Sequence, residues 1–459
     1  MKRFFFLGIG GIGMSALARY YRSCGCEVYG YDRVRSSLCE ELEAEGCKIT
    51  YDLDNIDILD NLEGLEVIYT PAISSNNRLW QLFEKHHLPM KKRAQVLGDI
   101  TRERRGLCVA GTHGKTTTST MIAHLIRQSK VDCSAFLGGI SKNYDSNLIL
   151  ANNDSNLVVI EADEFDRSFH QLSPYMAVVT ATDADHLDIY GTHEAYLEAF
   201  AHFVSLISDD GVLLVKAGVK LERRVKPGVR LFTYGVCDEH VKPAANCQLS
   251  IVNSQLDYYA ENVRCGNGEL LFDFVSPNGR INDISLGVPV MVNVENAVAA
   301  LAIAQLNGVT DEELKRGIET FAGVKRRFEM KYKSPSFVHI DDYAHHPDEL
   351  RRSIESVRML YADRRMVTVF QPHLYTRTRD FYHEFASALS VCDRVVLLDI
   401  YPAREEPIPG ITSEIILNEV TSPEKCLCRK EDLADVLAVM NAEVVLTVGA
   451  GDIGEITLV

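Results

Sequence analysis

The stretch Leu107-Cys108-Val109-Ala110-Gly111-Thr112-His113-Gly114-Lys115-Thr116-Thr117 joins an apolar run to a two-glycine turn and the start of a Thr-rich helix. An uninterrupted apolar run of this length reads as a strand buried on both faces of a parallel sheet. The turn after it aims backbone N–H groups and a helix N-terminus at an anion. Lys115 stands where it reaches terminal phosphate oxygens, and Thr116 where it ligates Mg²⁺. The spacing departs from the GxxxxGK[ST] pattern, because Val109 and not glycine stands six positions before Lys115.

Further apolar runs at Leu157 to Ile160, Met176 to Thr180 and Val212 to Val215 extend the same reading to a central parallel sheet. At the end of the first, Glu161-Ala162-Asp163-Glu164 offers the hard oxygen donors that an Mg²⁺-phosphate complex needs. After the second come Asp183, Asp185, His186 and Asp188, a crowded polar turn at a strand's C-terminal end where a second metal ion finds ligands. Short alternating runs between residues 218 and 290, such as Gln248 to Val252 and Leu270 to Phe274, predict an antiparallel patch. Asn293 to Leu306 predicts an Ala-rich helix.

Before this unit lies another strand-turn-helix. Phe4 to Leu7 leads into Gly8, Gly10, Gly11, Ile12 and Gly13, then a helix to Ser23, a strand Glu27 to Tyr31, and Asp32. That order satisfies the dinucleotide fingerprint, yet no hydride-transfer site follows it. A different diphosphate ligand is the natural occupant. Behind the central unit, Phe337 to Ile340, Met366 to Phe370, Arg394 to Leu398 and Val444 to Val448 alternate with helical patterns and predict a third α/β unit.

This third unit carries Lys325-Arg326-Arg327-Phe328, Asp341-Asp342-Tyr343-Ala344-His345-His346-Pro347 and Gln371-Pro372-His373-Leu374-Tyr375-Thr376-Arg377-Thr378-Arg379. Planar guanidinium groups in such clusters match carboxylate and phosphate geometry. Arg377 and Arg379, two residues apart, do not share a helix face, so a loop or strand end is expected there.

The chain has 459 residues, enough for about three domains, and we place them at 1–97, 98–325 and 326–459. With 48 Lys and Arg against 64 Asp and Glu, the net charge of −16 excludes a broad nucleic-acid footprint. Twelve cysteines without a CxxC pair read as reduced thiols of a cytoplasmic protein. The apolar start after Lys2 and Arg3 imitates a secretory signal, but its ordered glycines favour the strand and turn. No segment is expected to insert in a membrane, and none calls for an obligate protein partner.

The strings GIGGIGMSALA, AGTHGKTTT, EADEFDRSF, DADHLDIYG, NVENA, GVKRRFE, DDYAHHP, FQPHLYTRTRD, DIYPAREEPI and VGAGDI occur in this order along nearly the whole chain. Together they resemble the Mur ligase family. The resemblance implies an α/β enzyme of three domains: a Rossmann-like N-terminal domain for a UDP-sugar, a central P-loop ATPase domain and a Rossmann-like C-terminal domain. It implies ATP-dependent joining of L-alanine to the lactyl carboxylate of UDP-N-acetylmuramate through an acyl phosphate, an early step of peptidoglycan synthesis, with two Mg²⁺ ions. The nearest rival within the family joins the same sugar nucleotide to a preformed tripeptide. DADHLDIYG and the lack of Lys from Glu198 to Val204 are similar to the L-alanine-adding branch. A nucleotide-binding regulator or an NAD-dependent oxidoreductase would leave Lys115, Glu161, His186 and Arg327 without a joint purpose.

By motif, the resemblance gives Gly111, Thr112, His113, Gly114, Lys115, Thr116 and Thr117 to the ATP phosphates, and Thr116, Glu161 and His186 to the metal ions. It gives Asn296 to adenine, Arg327 to the phosphates and Asp342 to the nucleotide. The Gly8 to Gly13 turn cradles the UDP diphosphate, and Gly10, Gly11, Ile12, Gly13 and Asp32 belong to the UDP-sugar site. His186 and Arg377 meet the sugar-nucleotide carboxylate, and His345 lies near the incoming amino acid. The chain departs from frequent family residues at Val292, where His is common, at Leu374, where Arg is common, and at Gln95, where Glu is common.

Overall fold

A computed structural model describes residues 2–53, 61–184, 187–237, 256–266, 268–403 and 405–458. Three sheets organise it. The first is parallel, with β1 Arg3–Leu7, β2 Glu27–Tyr31, β3 Lys48–Thr50, β4 Leu65–Tyr69 and β5 Met90–Lys92 in the order β3-β2-β1-β4-β5. The switch in direction beside β1 sets the first glycine turn at a crevice where open α/β sheets bind ligands.

The second sheet has β6 Arg105–Ala110, β7 Ser134–Ser141, β8 Ser146–Ile149, β9 Leu157–Glu161, β10 Pro174–Val179, β11 Val212–Lys216, β12 Arg230–Val236, β13 Tyr258–Gly266, β14 Glu269–Ser276 and β15 Gly279–Ser285. Its order is β15-β14-β13-β12-β11-β10-β6-β9-β7-β8. The parallel run extends through β12 and β13, further than the alternating sequence after residue 218 predicts. Gln248 to Val252 lies outside the described residues. β6 sits centrally between β10 and β9, and its apolar residues from Leu107 to Ala110 are buried. The helix Met291–Leu306 is almost wholly buried along its Ala-rich length, as a helix apolar on every face must be.

The third sheet has β16 Glu329–Lys333, β17 Val338–Asp342, β18 Met366–Phe370, β19 Arg394–Leu397, β20 Glu424–Leu427 and β21 Val444–Val448. Its order is β16-β17-β21-β18-β19-β20, parallel except for β16.

Two compact units emerge: Met1–Ala260 with Phe274–Ile281 and Glu295–Ile318, and Glu261–Asp273 with Asn282–Val294 and Glu319–Val459. The first holds the N-terminal sheet together with β6 to β12, so these share one unit. Residue 97 falls inside the helix Arg93–Glu103. Within this unit the helix Ile12–Ser23 is locked by Asn147, fully buried, whose amide donates to the Ile12 carbonyl at 2.5 Å and to Ser15 Oγ at 2.8 Å. Arg19 Nη1 donates back to Asn147 Oδ1 at 2.7 Å. Tyr20 stacks edge-on against Phe136, with ring centroids 5.4 Å apart. Among the described residues no helix is long and apolar enough to cross a membrane.

Two histidines lie deep in this architecture. His124, in the helix after the second glycine turn, meets the Tyr144 hydroxyl at 3.0 Å, and His339, on β17, meets Thr447 Oγ1 at 3.1 Å. Burial lowers both pKa values from 6.5 to about 4. The folded chain therefore keeps both neutral while the unfolded chain protonates below pH 6.5, so stability present above that pH is lost as the pH falls from 6.5 towards 4. Each histidine contributes a slope of up to about 1.4 kcal/mol per pH unit. We predict that His124→Gln makes unfolding free energy less steeply dependent on pH in that window. An unchanged slope, measured by denaturant titration at pH 7, 6 and 5, contradicts the assignment.

Candidate functional site

The sharp turn between β6 and the helix Lys115–Arg127 requires two glycines at positive φ, Gly111 at +138° and Gly114 at +80°. A Cβ on Gly111 would stand 2.1 Å from Thr180 Oγ1, and one on Gly114 2.8 Å from Asn296 Oδ1. Neighbouring strands fix the loop: Thr112 N–H donates to the Ala181 carbonyl at 3.1 Å, and Thr112 Oγ1 donates to the Asp183 carbonyl at 2.9 Å. The helix begins without a side-chain cap. Its first N–H groups and positive dipole end are therefore open to an anion.

Lys115 folds back across this loop. Its ammonium donates to the Gly111 carbonyl at 2.8 Å and pairs with Glu164 Oε1, also at 2.8 Å. The Glu164 side chain is 1% exposed, and Oε2 has no hydrogen-bond partner among the described residues. Desolvation raises its pKa even though Lys115 opposes the shift. Tyr190 Oη donates to the Glu164 backbone carbonyl, and Tyr196 Oη stands 3.5 Å from Oε1. Glu164 lies in the Glu161-Ala162-Asp163-Glu164 stretch, but no local pattern marks it as the partner of Lys115. Its neighbour at the strand end had the stronger signal.

Glu161 ends β9, and its carboxylate presses on Gly138, where a Cβ would lie 2.2 Å from Oε2. Only glycine leaves room for it. Glu161 at the strand end and Thr116 at the helix start each carry a hard oxygen donor of the kind Mg²⁺ prefers. Asp185 and His186 lie outside the described residues. Asn296 is buried against the loop, its Oδ1 accepting from Thr118 Oγ1 at 3.1 Å, so it braces the start of the helix.

The first glycine turn has its own logic. Gly10 N–H donates to Asp32 Oδ2 at 2.8 Å, so Asp32 ties the loop's backbone in place. Gly11 is the N-cap of the helix Ile12–Ser23, and Gly11 and Ile12 are exposed at its start. A Cβ on Gly13 would stand 2.5 Å from Arg93 Nη1, while Arg93 Nη2 donates to Asp163 Oδ2 at 3.2 Å. Arg93 thus bridges the first glycine turn and the acidic segment after β9. Nothing short-range in the sequence marks it. Gln95 accepts from Lys92 N–H at 2.8 Å and so satisfies a backbone donor at the start of the helix Arg93–Glu103.

In the second unit, two adjacent arginines separate in role. Arg326 donates to the Gly449 carbonyl at 2.6 Å and the Gly451 carbonyl at 2.8 Å, and pairs with buried Asp341 at 3.3 Å. Arg327 is exposed, its guanidinium 5.4 Å from the Tyr343 ring centroid. Asp342 accepts from Phe328 N–H at 3.1 Å and from the Ser353 hydroxyl, and burial raises its pKa. It fixes the backbone beside Arg327.

Arg377 and Arg379 lie in the first turn and a half of the helix Tyr375–Leu389, which corrects the expected loop or strand end. The two-residue offset still separates them. Arg377 turns inward, 3.4 Å from His373 Nδ1, whereas Arg379 pairs with Asp380 at 2.7 Å on the exposed face. Leu374 opens this helix at φ +72°, its N–H donating to the Tyr401 carbonyl at 3.0 Å. His345 Nδ1 meets the Tyr343 carbonyl at 3.1 Å and lies 3.6 Å from Glu349. Burial lowers the pKa of His345, and burial with Arg377 and His345 nearby lowers that of His373 to about 4. The two imidazoles thus stand beside the half-buried Arg377 guanidinium, which also feels the Glu349 and Glu405 carboxylates.

Family models match the chain in three consecutive stretches: the Mur ligase family catalytic domain over residues 3–105, the Mur ligase middle domain over 109–304, and the Mur ligase glutamate ligase domain over 326–452. A UDP-N-acetylmuramate--L-alanine ligase of Parabacteroides distasonis is 55% identical over 98% of this chain and 94% of its own length. One of Phocaeicola vulgatus is 53% identical over 99% and 96%. The crystal structure of the UDP-N-acetylmuramate-alanine ligase MurC from Thermotoga maritima superposes with a TM-score of 0.80 at 28% identity, covering 99% of this chain and 96% of that one. A murein peptide ligase from Psychrobacter arcticus shares the fold, with a TM-score of 0.66 at 21% identity over 99% and 97%. With all three stretches in order and relatives of this identity along its whole length, the chain belongs to the Mur ligase family.

Proposed function

We propose that this chain joins L-alanine to the lactyl carboxylate of UDP-N-acetylmuramate at the expense of ATP, in the cytoplasm, through an acyl phosphate. The observation that carries the reading is the seating of Lys115 beside an uncapped helix N-terminus at the end of the central strand β6, in a chain 55% and 53% identical to enzymes named for that ligation. A carboxylate is a poor acylating agent until it gains a leaving group. One carboxylate oxygen attacks the γ-phosphorus and ADP departs. The amine of L-alanine then attacks the acyl carbon, and phosphate leaves with that oxygen.

The backbone donors of Gly111 to Thr117 take the phosphates, and Lys115 leaves Glu164 to meet the γ oxygens, where negative charge grows in the transition state. Thr116 and Glu161, with His186, are the residues that would hold Mg²⁺. The metal supplies charge neutralisation of the transferring phosphoryl group. The Gly8 to Gly13 turn cradles the UDP diphosphate, with Asp32 holding the Gly10 backbone at the UDP-sugar site, and Asn296 meets adenine. Arg327 and Asp342 belong to the nucleotide, Arg377 to the substrate carboxylate and His345 to the incoming amine. We assign these roles to three domains at 1–97, 98–325 and 326–459.

The direct test is phosphate release from ATP and Mg²⁺ with each substrate omitted in turn. We expect release to require both UDP-N-acetylmuramate and L-alanine, and a tripeptide offered in place of L-alanine to give none. Release with the tripeptide alone would assign the chain to the other branch. Lys115→Ala should lower kcat by roughly 10² to 10⁴, as loss of a main electrostatic group does, and near-normal turnover refutes its role. Glu164→Ala leaves Lys115 without its buried partner and should cost roughly 3 to 5 kcal/mol of stability. A denaturation midpoint equal to that of the parent chain would show that the pair does not hold the loop.

A further inference from the structure

Within the second unit lies a cavity that none of these roles uses. Lys333, Val338, Met359, Leu360, Tyr361 and Arg364 stand among the residues lining a volume of about 580 Å³, within the size range of small-molecule sites. Tyr361 follows the helix Pro347–Leu360 and is 7% exposed. Its hydroxyl is buried and has no hydrogen-bond partner among the described residues, and the same holds for Arg364 Nη1. Arg364 is held by other contacts: Nη2 donates to the Pro335 carbonyl at 2.7 Å, and the guanidinium lies 5.6 Å from the Tyr361 ring centroid.

The backbone leaves room for this arrangement. Gly268 has φ +74°, and a Cβ there would stand 2.8 Å from Tyr361 Oη. Its N–H donates to the Leu360 carbonyl at 3.1 Å, and its carbonyl accepts from Lys333 Nζ at 3.5 Å. Burial raises the Tyr361 pKa, so the phenol stays protonated and able to donate. Arg364 is a donor only, and Lys333 carries further N–H donors. Buried donors without acceptors are costly, and an acceptor-rich ligand removes that cost. The single carboxylate among the lining residues, Asp363, is exposed.

We propose that this cavity binds a small organic carboxylate, its head accepting from Tyr361 Oη, Arg364 Nη1 and Lys333 Nζ and its apolar body lying against Val338, Met359 and Leu360. The inference is independent of the ligase reading, because none of these residues belongs to the glycine turns or to the Arg327 and Arg377 clusters.

Ligand-observed NMR on the full chain tests it, with benzoate as the probe and benzamide as its uncharged counterpart. Benzoate should bind at least about tenfold more tightly than benzamide, as charge-assisted hydrogen bonding requires. Arg364→Met should lower benzoate affinity about tenfold or more, and Tyr361→Phe several-fold, with ligase turnover unchanged in both. Tyr361→Phe should also leave the thermal midpoint without benzoate no lower than in the parent, because the hydroxyl it removes bonds to nothing. Equal binding of the two probes, benzoate binding unaffected by both variants, or a lowered midpoint in Tyr361→Phe would overturn the proposal.

Discussion

The ammonium of Lys115, shared between the Gly111 carbonyl and the Glu164 carboxylate at 2.8 Å each, is the contact on which the rest of the central site depends. A cation next to a helix N-terminus is unfavourable without an anion. The buried carboxylate supplies that anion in the free chain, and in the proposed reaction the nucleotide's phosphates take its place. The loop is therefore held ready by an interaction that a phosphate replaces in kind. Its backbone cannot drift, because Thr112 and Thr180 anchor it to the strand ends beside it.

Around this point the chain uses glycine as spacing. Gly138 makes room for Glu161, Gly114 for Asn296 and Gly13 for Arg93. Each places a polar side chain against backbone at a distance no Cβ permits. Arg93 then reaches Asp163, linking the first glycine turn to the acidic segment inside one compact unit. In the other unit the same economy appears in charge: Arg326 is consumed by carbonyls and Asp341, which frees Arg327 beside Tyr343.

What the sequence disclosed follows from the range of the interactions. The turn at Gly111 to Lys115 was legible because strand, glycines and helix start are contiguous, and the same holds for Gly8 to Gly13. Long-range partners were not. Glu164 sits 49 residues from Lys115, Arg93 70 from Asp163 and Asn147 135 from Ile12, and no local pattern predicts such pairs. In place of the expected loop or strand end at Arg377 there is a helix, which Leu374 opens with a positive φ. The two-residue offset separated the arginines as anticipated, but on one helix.

The central claim is that the lactyl carboxylate becomes an acyl phosphate before the amine attacks. Carrying ¹⁸O in that carboxylate of UDP-N-acetylmuramate through one turnover with ATP and L-alanine tests it most directly. The account predicts one ¹⁸O atom in the phosphate released, since the oxygen that attacks phosphorus leaves with it. Phosphate free of ¹⁸O alongside formation of the alanyl product would contradict it.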